Sequence, residues 1–271
     1  MGIEPIKISI CSSEEESWDT IWKWSWFTRE IWMSEHWEMT QRALQPFFSI
    51  LSKLRVRSIL DCSCGLGFKT VMFAKMGYKV EGSDASAIAI KYAPKLAKEQ
   101  GLRIKFYRSR YEELGKNCNR RYDCVYSDYF DEIGNYKTLR ASAKGIYLVL
   151  KNGGKFIFCS PPQEYTKRDL KNLIEKEWRK RKRFEIEPPV ERDGLRVIHI
   201  EIPEKTQEGI LENHVYLIEE SGRMRAEIAF TINSRIKWTF QNFAKVLKGA
   251  GFRKIESIKR EEEDILVIAA K

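Results

Sequence analysis

The stretch from Arg57 to Ser86 constrains this chain most, because it reads as a buried strand, a glycine turn, a helix and a second strand. Val56 to Cys62 is short and rich in β-branched and aliphatic residues, as an inner strand of a sheet is. Ser63-Cys64-Gly65-Leu66-Gly67 then offers small residues and tolerance of positive φ, which a tight turn needs. Phe68 to Met76 has helical spacing and stops at Gly77, after which Tyr78 to Asp84 supplies the next strand. In such a βαβ unit a nucleotide sits at the helix N-terminus, and an acid about 20 positions on grips ribose hydroxyls. Asp84 stands where that acid is needed.

A dinucleotide fingerprint requires a third glycine for close helix packing beneath a pyrophosphate. Here Phe68, Lys69 and Thr70 follow Gly67. Asp61-Cys62-Ser63-Cys64-Gly65-Leu66-Gly67 resembles instead motif I of class I S-adenosylmethionine-dependent methyltransferases: an aliphatic strand ending in Asp, two small residues, then Cys-Gly-x-Gly. The resemblance implies an α/β fold with a Rossmann-like seven-stranded mixed sheet. It implies S-adenosyl-L-methionine as cofactor and S-adenosyl-L-homocysteine as product. It also implies that Asp61 orients the turn and the cofactor's amino-acid end, with Cys62, Gly65 and Gly67 in the turn and Asp84 and Ala85 at the ribose.

The chain's 271 residues suffice for one large α/β domain with additions. A net charge of +10 permits a nucleic-acid partner, but a Lys- and Glu-rich sequence with many Ile is also what heat-adapted proteins carry. The cysteines at 11, 62, 64, 118, 124 and 159 form no CxxC pair, so they read as reduced packing thiols of a cytoplasmic protein, with no metal expected. No apolar run approaches 18 residues and no leader pattern opens the chain, so no membrane span is expected.

Residues 1–54 read as an N-terminal helical cap. They hold Trp18, Trp22, Trp24, Trp26, Trp32 and Trp37, six of the eight tryptophans, so a large share of the aromatic surface must be buried there. Ser17 is the expected N-cap, Trp18, Trp22 and Trp26 fall on one helical face, and a second helix is expected over His36 to Leu54. The indoles seal the cap, and one or two of them, Trp26 included, are expected to line the cofactor pocket, where an indole face stabilises a sulfonium.

Residues 55–160 form the expected cofactor core. The helix from Ala85 to Lys98 should kink at Pro94 or split off its last turn there. Arg110 occupies the place where the family sets an Asp or Asn beside the adenine amine. Guanidinium only donates, so Tyr111 is expected to pack on the adenine instead. Arg121 to Phe130 is the fourth strand with its carboxyl-end loop. Ligands sit outside such ends, which makes Ser127 a cofactor contact and Asp128, Tyr129, Asp131 and Glu132 the catalytic-side candidates. The next helix spans Leu139 to Leu150, and Lys155 to Cys159 is the fifth strand.

Residues 161–236 read as an inserted lobe. Its helix from Thr166 to Arg183 ends in five consecutive cations, Arg179 to Arg183, which suit either phosphates or a solvated helix C-terminus. Leu195 to Ile202, Val215 to Glu219 and Arg225 to Ile232 make an antiparallel β-meander. It carries His199 and His214, and its Arg196, Arg223, Arg225 and Arg235 are expected to bind an anionic group on a small acceptor. Residues 237–271 supply a returning helix and a closing hairpin. That order resembles the small-molecule branch of glycine and sarcosine N-methyltransferases, which implies in-line N-methylation of a small-molecule amine. A methyltransferase acting on RNA or protein, a non-catalytic nucleotide-binding module and a nicotinamide oxidoreductase are the competing classes. The acceptor's identity, the group acting as base and homo-oligomerisation stay open.

Overall fold

The computed structural model describes residues 5–233, 237–259 and 265–271. β1 (Lys7–Ile10), α1 (Glu14–Phe27) and α2 (Arg29–Lys53) come first. The core follows as β2 (Ser58–Asp61), α3 (Phe68–Lys75), β3 (Lys79–Asp84), α4 (Ala87–Glu99), β4 (Lys105–Arg108) and α5 (Leu114–Asn117). It continues through β5 (Tyr122–Ser127), α6 (Tyr136–Val149) and β6 (Leu150–Ser160). α7 (Lys167–Lys180) leads into β7 (Glu185–Ile186), β8 (Val190–Arg192), β9 (Leu195–Lys205), β10 (Ile210–Glu220) and β11 (Arg223–Asn233). α8 (Phe240–Ala250), β12 (Lys254–Lys259) and β13 (Ile265–Ala270) return to the core.

The core sheet has seven strands in the order β12-β13-β6-β5-β2-β3-β4, all parallel except β13, which runs against both neighbours. The strand order reverses between β2 and β5, the place where open α/β sheets take ligands. β2 is buried at all four positions because the sheet is covered on both sides. One side packs Phe130, Phe156, Phe158 and Phe243 beneath α6 and α8, and the other packs Leu44, Phe47, Leu51 and Phe73 beneath α2 and α3.

The second sheet, β1-β11-β10-β9-β7 with β8 also on β9, is antiparallel apart from β1, which lies parallel to β11. α1 packs on one of its faces. Trp24 is 2% exposed among Val197, Tyr216 and Ile218, and its Nε1 donates to Glu227 Oε2 at 2.8 Å.

The structure departs from the sequence reading in several places. The N-cap of α1 is Ser13, which accepts from Glu16 N–H, while Ser17 is buried and takes the Phe230 N–H. Pro94 does not interrupt α4, because buried Ala89, Ala93, Leu96 and Ala97 hold the helix to the core on both sides of it. α6 begins at Tyr136 under an Asn135 cap, one turn before Leu139. β1 belongs to the lobe's sheet, so the cap at 1–54 and the lobe at 161–236 share one sheet, a pairing of distant segments that no local pattern announces.

Candidate active site

The site begins at the turn between β2 and α3. Gly65 and Gly67 adopt φ of 50° and 90°, and Gly67 N–H closes the turn on Cys64 C=O at 2.8 Å. A Cβ at Gly65 would lie 2.8 Å from the ring of Trp22, so the bare backbone is what lets the indole lie over the turn. Asp84, at the end of β3, accepts from Gly65 N–H and Ser86 N–H, each at 2.9 Å, and burial raises its pKa. Asp61, at the end of β2, is 2% exposed and accepts from Thr70 Oγ1 at 2.6 Å. Burial pushes its carboxyl up to about 6, against the opposing pull of Thr70 and the Lys69 charge.

α1 closes the cavity from above. Glu15 accepts from Arg108 Nη2 at 2.8 Å and pairs with Arg110, while Asp19 accepts from Ser86 Oγ at the start of α4. Trp18 and Trp22 stack with ring centroids 5.5 Å apart, and Tyr129 meets Trp18 edge-on, also at 5.5 Å. The Tyr129 hydroxyl donates to Glu14 Oε1 at 2.9 Å. Behind this wall, Tyr111 and Ser127 share a hydrogen bond at 2.8 Å, and Ser127 Oγ accepts from Tyr129 N–H at 3.2 Å. Tyr111 titrates well above its ordinary range because it is buried.

The cavity holds about 910 Å³. Of the residues picked from the sequence, Asp61, Cys62, Gly65, Asp84, Ala85, Arg110, Tyr111, Asp128 and Tyr129 line it. Gly67 shapes the turn and faces Phe106 and Ala93, and Ser127 lies one layer back. Glu132 is not on the lining. Trp26 is not either: it stacks on Tyr92 of α4 at 4.9 Å with the Arg29 guanidinium on its ring. Its neighbours Trp18 and Trp22 take that place, because α1 is held between two surfaces and only that part of the helix meets the opening. Sequence reasoning missed Glu14, Glu15 and Lys69; the acidic first turn of α1 was the signal for the two glutamates.

Asp128 is clamped, one carboxylate oxygen by Lys69 Nζ and the other by the Tyr126 hydroxyl. The lobe's histidines do not reach the cavity. His199 Nε2 and His214 Nδ1 lie 3.1 Å apart, both rings inside the lobe, and His199 stacks on Tyr216. Burial, and then the neighbouring His199, lower His214 to about 4. Arg196 and Arg225 pair with Glu191 and Glu227, and Arg235 lies outside the described residues. The lobe adds Glu208 and Ile232 to the lining, and Lys237 follows it. In the basic run, Lys180 pairs with Glu177, Arg181 with Glu212 at 2.7 Å, and Lys182 with Glu185. Among the described residues, no cluster that could hold a metal and no helix long and apolar enough to cross a membrane is found.

Residues 59–154 match the family model described as methyltransferase domain. Solved methyltransferases share the fold. The sugar N-methyltransferase KedS8 from Streptoalloteichus sp. is 14% identical with a TM-score of 0.64, over 99% of this chain and 98% of that one. An S-adenosylmethionine-dependent methyltransferase from Clostridium acetobutylicum is 15% identical with a TM-score of 0.58, over 83% and 88%. DesVI from Streptomyces venezuelae is 14% identical with a TM-score of 0.56, over 96% and 98%. No curated protein matches the sequence. The chain has the class I methyltransferase fold. It carries a methyltransferase domain over residues 59–154.

Proposed function

We propose that the protein N-methylates a small-molecule amine. One observation carries the reading: a single cavity of about 910 Å³ brings together the Asp84 carboxylate and the Gly65 turn with the indoles of Trp18 and Trp22, Tyr129 and Glu14. The first set suits a nucleoside, since a buried acid next to a helix N-terminus takes ribose hydroxyls. The second set suits a cation, since indole faces and a carboxylate attract sulfonium and ammonium groups. The match to a sugar N-methyltransferase over nearly the full length of both chains supports an amine acceptor.

The cofactor supplies a methyl group already activated on sulfonium, so the chain has to align the acceptor nitrogen with that carbon and exclude water. On this reading Asp84 and Ala85 hold the ribose, Tyr111 flanks the adenine, and Asp61 with the Cys62 turn meets the cationic amino-acid end. The acceptor nitrogen must shed a proton. Asp128 is engaged at both oxygens, so Glu14, reached through the Tyr129 hydroxyl, is the better-placed acceptor. The test is thermal: S-adenosylmethionine and S-adenosylhomocysteine should each raise the melting temperature while NAD does not. Labelled methyl should then pass to amines and not to RNA or protein extracts. No shift with either methyl-cofactor form would sink the proposal.

A further inference from the structure

We propose that the lobe's sheet is a dimer interface: its outer face packs on the same face of a second copy of this chain, and the contact braces α1 over the active site. Residues directly opposite across a sheet share a face. Tyr216 and Ile218, with their partners His199, Val197 and Glu227, face α1. The alternate set faces the other way. Its registers are Ile10 opposite Ile228, Ile228 opposite Val215, and Val215 opposite Ile200, which is opposite Ile186. Ile8, Ala226, Leu217 and Ile198 form the parallel row beside it.

A sheet covered on one side ordinarily shows polar residues to water on the other. Here the covered side mixes the apolar cluster at Val197, Tyr216 and Ile218 with His199, His214, Glu201, Glu212 and Glu227, while the middle of the other side is mainly aliphatic. Ile8, Ile10 and Ile186 are 60%, 70% and 60% exposed. None of the apolar clusters among the described residues includes a residue of this face. A contiguous apolar surface of this kind marks an interaction site.

Size and charge identify the occupant. Three strands 11 residues long make a face roughly 14 Å by 36 Å, and the short β1 and β7 extend it to about 600 Å². A standard interface buries about 800 Å² on each partner. Its charged positions lie at the strand ends, where Arg196 pairs with Glu191 and the others are Glu204 and Glu219. Although the chain carries +10, this face has no unpaired cation among the described residues, so it does not suit nucleic acid or an anionic lipid surface. A flat apolar face complements itself about a two-fold axis.

The contact would reach the active site through β1. Its four residues are all exposed and pair with β11 alone, and three residues later α1 presents Glu14 and Glu15 to the cavity. Covering β1 therefore fixes the start of the helix that closes the site.

The test is the mass of the full-length protein by sedimentation equilibrium over a wide concentration range, with and without S-adenosylhomocysteine. Twice 31.9 kDa is expected. Ile10→Asp and Ile200→Asp should each give the monomer mass with an unchanged circular dichroism spectrum, and should bind S-adenosylhomocysteine roughly fivefold or more weakly. A wild type that stays monomeric at every concentration overturns the proposal, and so does a dimer that persists in both variants. Binding of the monomer to neutral phospholipid vesicles would also overturn it, giving the face to a membrane. Should the variants fail to fold, carbene footprinting of the wild type decides. Labelling of Ile8, Ile10 and Ile200 must fall over the concentrations at which the mass doubles, and unchanged labelling overturns the interface. If no S-adenosylhomocysteine binds at all, the mass measurements still decide the dimer, while the functional reading fails separately.

Discussion

In the seven-stranded sheet, helices cover both faces and β2 is buried from end to end; in the six-stranded sheet, α1 covers one face and the other, mainly aliphatic at its middle, leaves Ile8, Ile10 and Ile186 exposed. The first arrangement leaves only strand ends available to a ligand, and the cavity opens there, between β2 and β5. The second gives its charge to the interior: Glu227 is held by Trp24, Lys23 and Arg225, and Arg181 reaches buried Glu212. One sheet makes a site and the other makes surfaces, and α1, wedged between them, takes Trp18 and Trp22 to the cavity and Trp24 to the lobe.

The largest expected difference between the two regions concerns glycine. At Gly145 in α6 a Cβ would sit 2.0 Å from the Tyr111 carbonyl oxygen, which is backbone and cannot swing aside. Gly145→Ala should cost about 3 kcal/mol or more by overpacking. Gly222, in the lobe's β-turn at φ 76°, has open space around it, so Gly222→Ala should cost only the left-handed backbone penalty of about 1–2 kcal/mol. Denaturant midpoints measure both, and equal losses would erase the distinction between a packed core and a loosely covered lobe.

Next in size is the cofactor end. Asp84→Asn should weaken S-adenosylmethionine binding by about 1.5–3 kcal/mol, the scale of a lost charge-assisted hydrogen bond. Glu227→Gln, in the lobe, should leave that affinity in place while lowering stability, because Trp24 Nε1, Lys23 and Arg225 lose a charged partner. Calorimetry on both variants separates site from scaffold, and an unchanged affinity in Asp84→Asn would place the ribose elsewhere.

Acid should push the two sheets in opposite directions. His214 titrates at about 4 in the fold against 6.5 ordinarily, so the unfolded chain takes the proton first. Its contribution is present above pH 6.5 and is lost as pH falls towards 4, costing the lobe about 2 kcal/mol at pH 5. Asp61 behaves inversely. Its folded value of about 6 lies above 3.8, so its contribution is full below 3.8 and is lost as pH rises through 6. Hydrogen exchange of the cofactor-free protein between pH 7 and pH 5, corrected for intrinsic rates, should show β9 and β10 loosening while β2 does not. A His214→Asn variant that keeps the same acid response would remove the histidine from the account.

How much of this was legible follows the same division. The core could be read because its information is local: Asp61 to Gly67 and Asp84 sit within one βαβ unit, and the glycine turn, the acid and the strand ends come together by chain geometry alone. The meander's strands were legible for the same reason, since alternation is local. Which face is covered was not. The alternation separates Ile198, Ile200 and Ile228 from the histidines and glutamates, but only the long-range seating of α1 and β1 decides that the face with the histidines lies inward. Trp26 illustrates the limit. It shares a helical face with Trp18 and Trp22, yet α4 rather than the cavity meets α1 at that level, and it stacks on Tyr92.

The smallest expected effect is the sharpest test of the lobe's role. The cations at 179–183 resemble a phosphate-binding run in the sequence, but in the fold Lys180, Arg181 and Lys182 pair with Glu177, Glu212 and Glu185. Arg181 must be kept, because removing it would strand a buried glutamate and confuse folding with binding. The informative variant therefore replaces Arg179, Lys182 and Arg183 with Gln together. If the acceptor is a small amine held at Glu14 and Tyr129, turnover should be nearly unchanged, and raising salt from about 50 to 200 mM should alter it by less than about tenfold. An RNA acceptor meeting six or more phosphates would lose on the order of a thousandfold over that range. A steep salt dependence that flattens in the triple variant would move acceptor recognition from the cavity to the lobe's surface, and the small-molecule reading would not survive it.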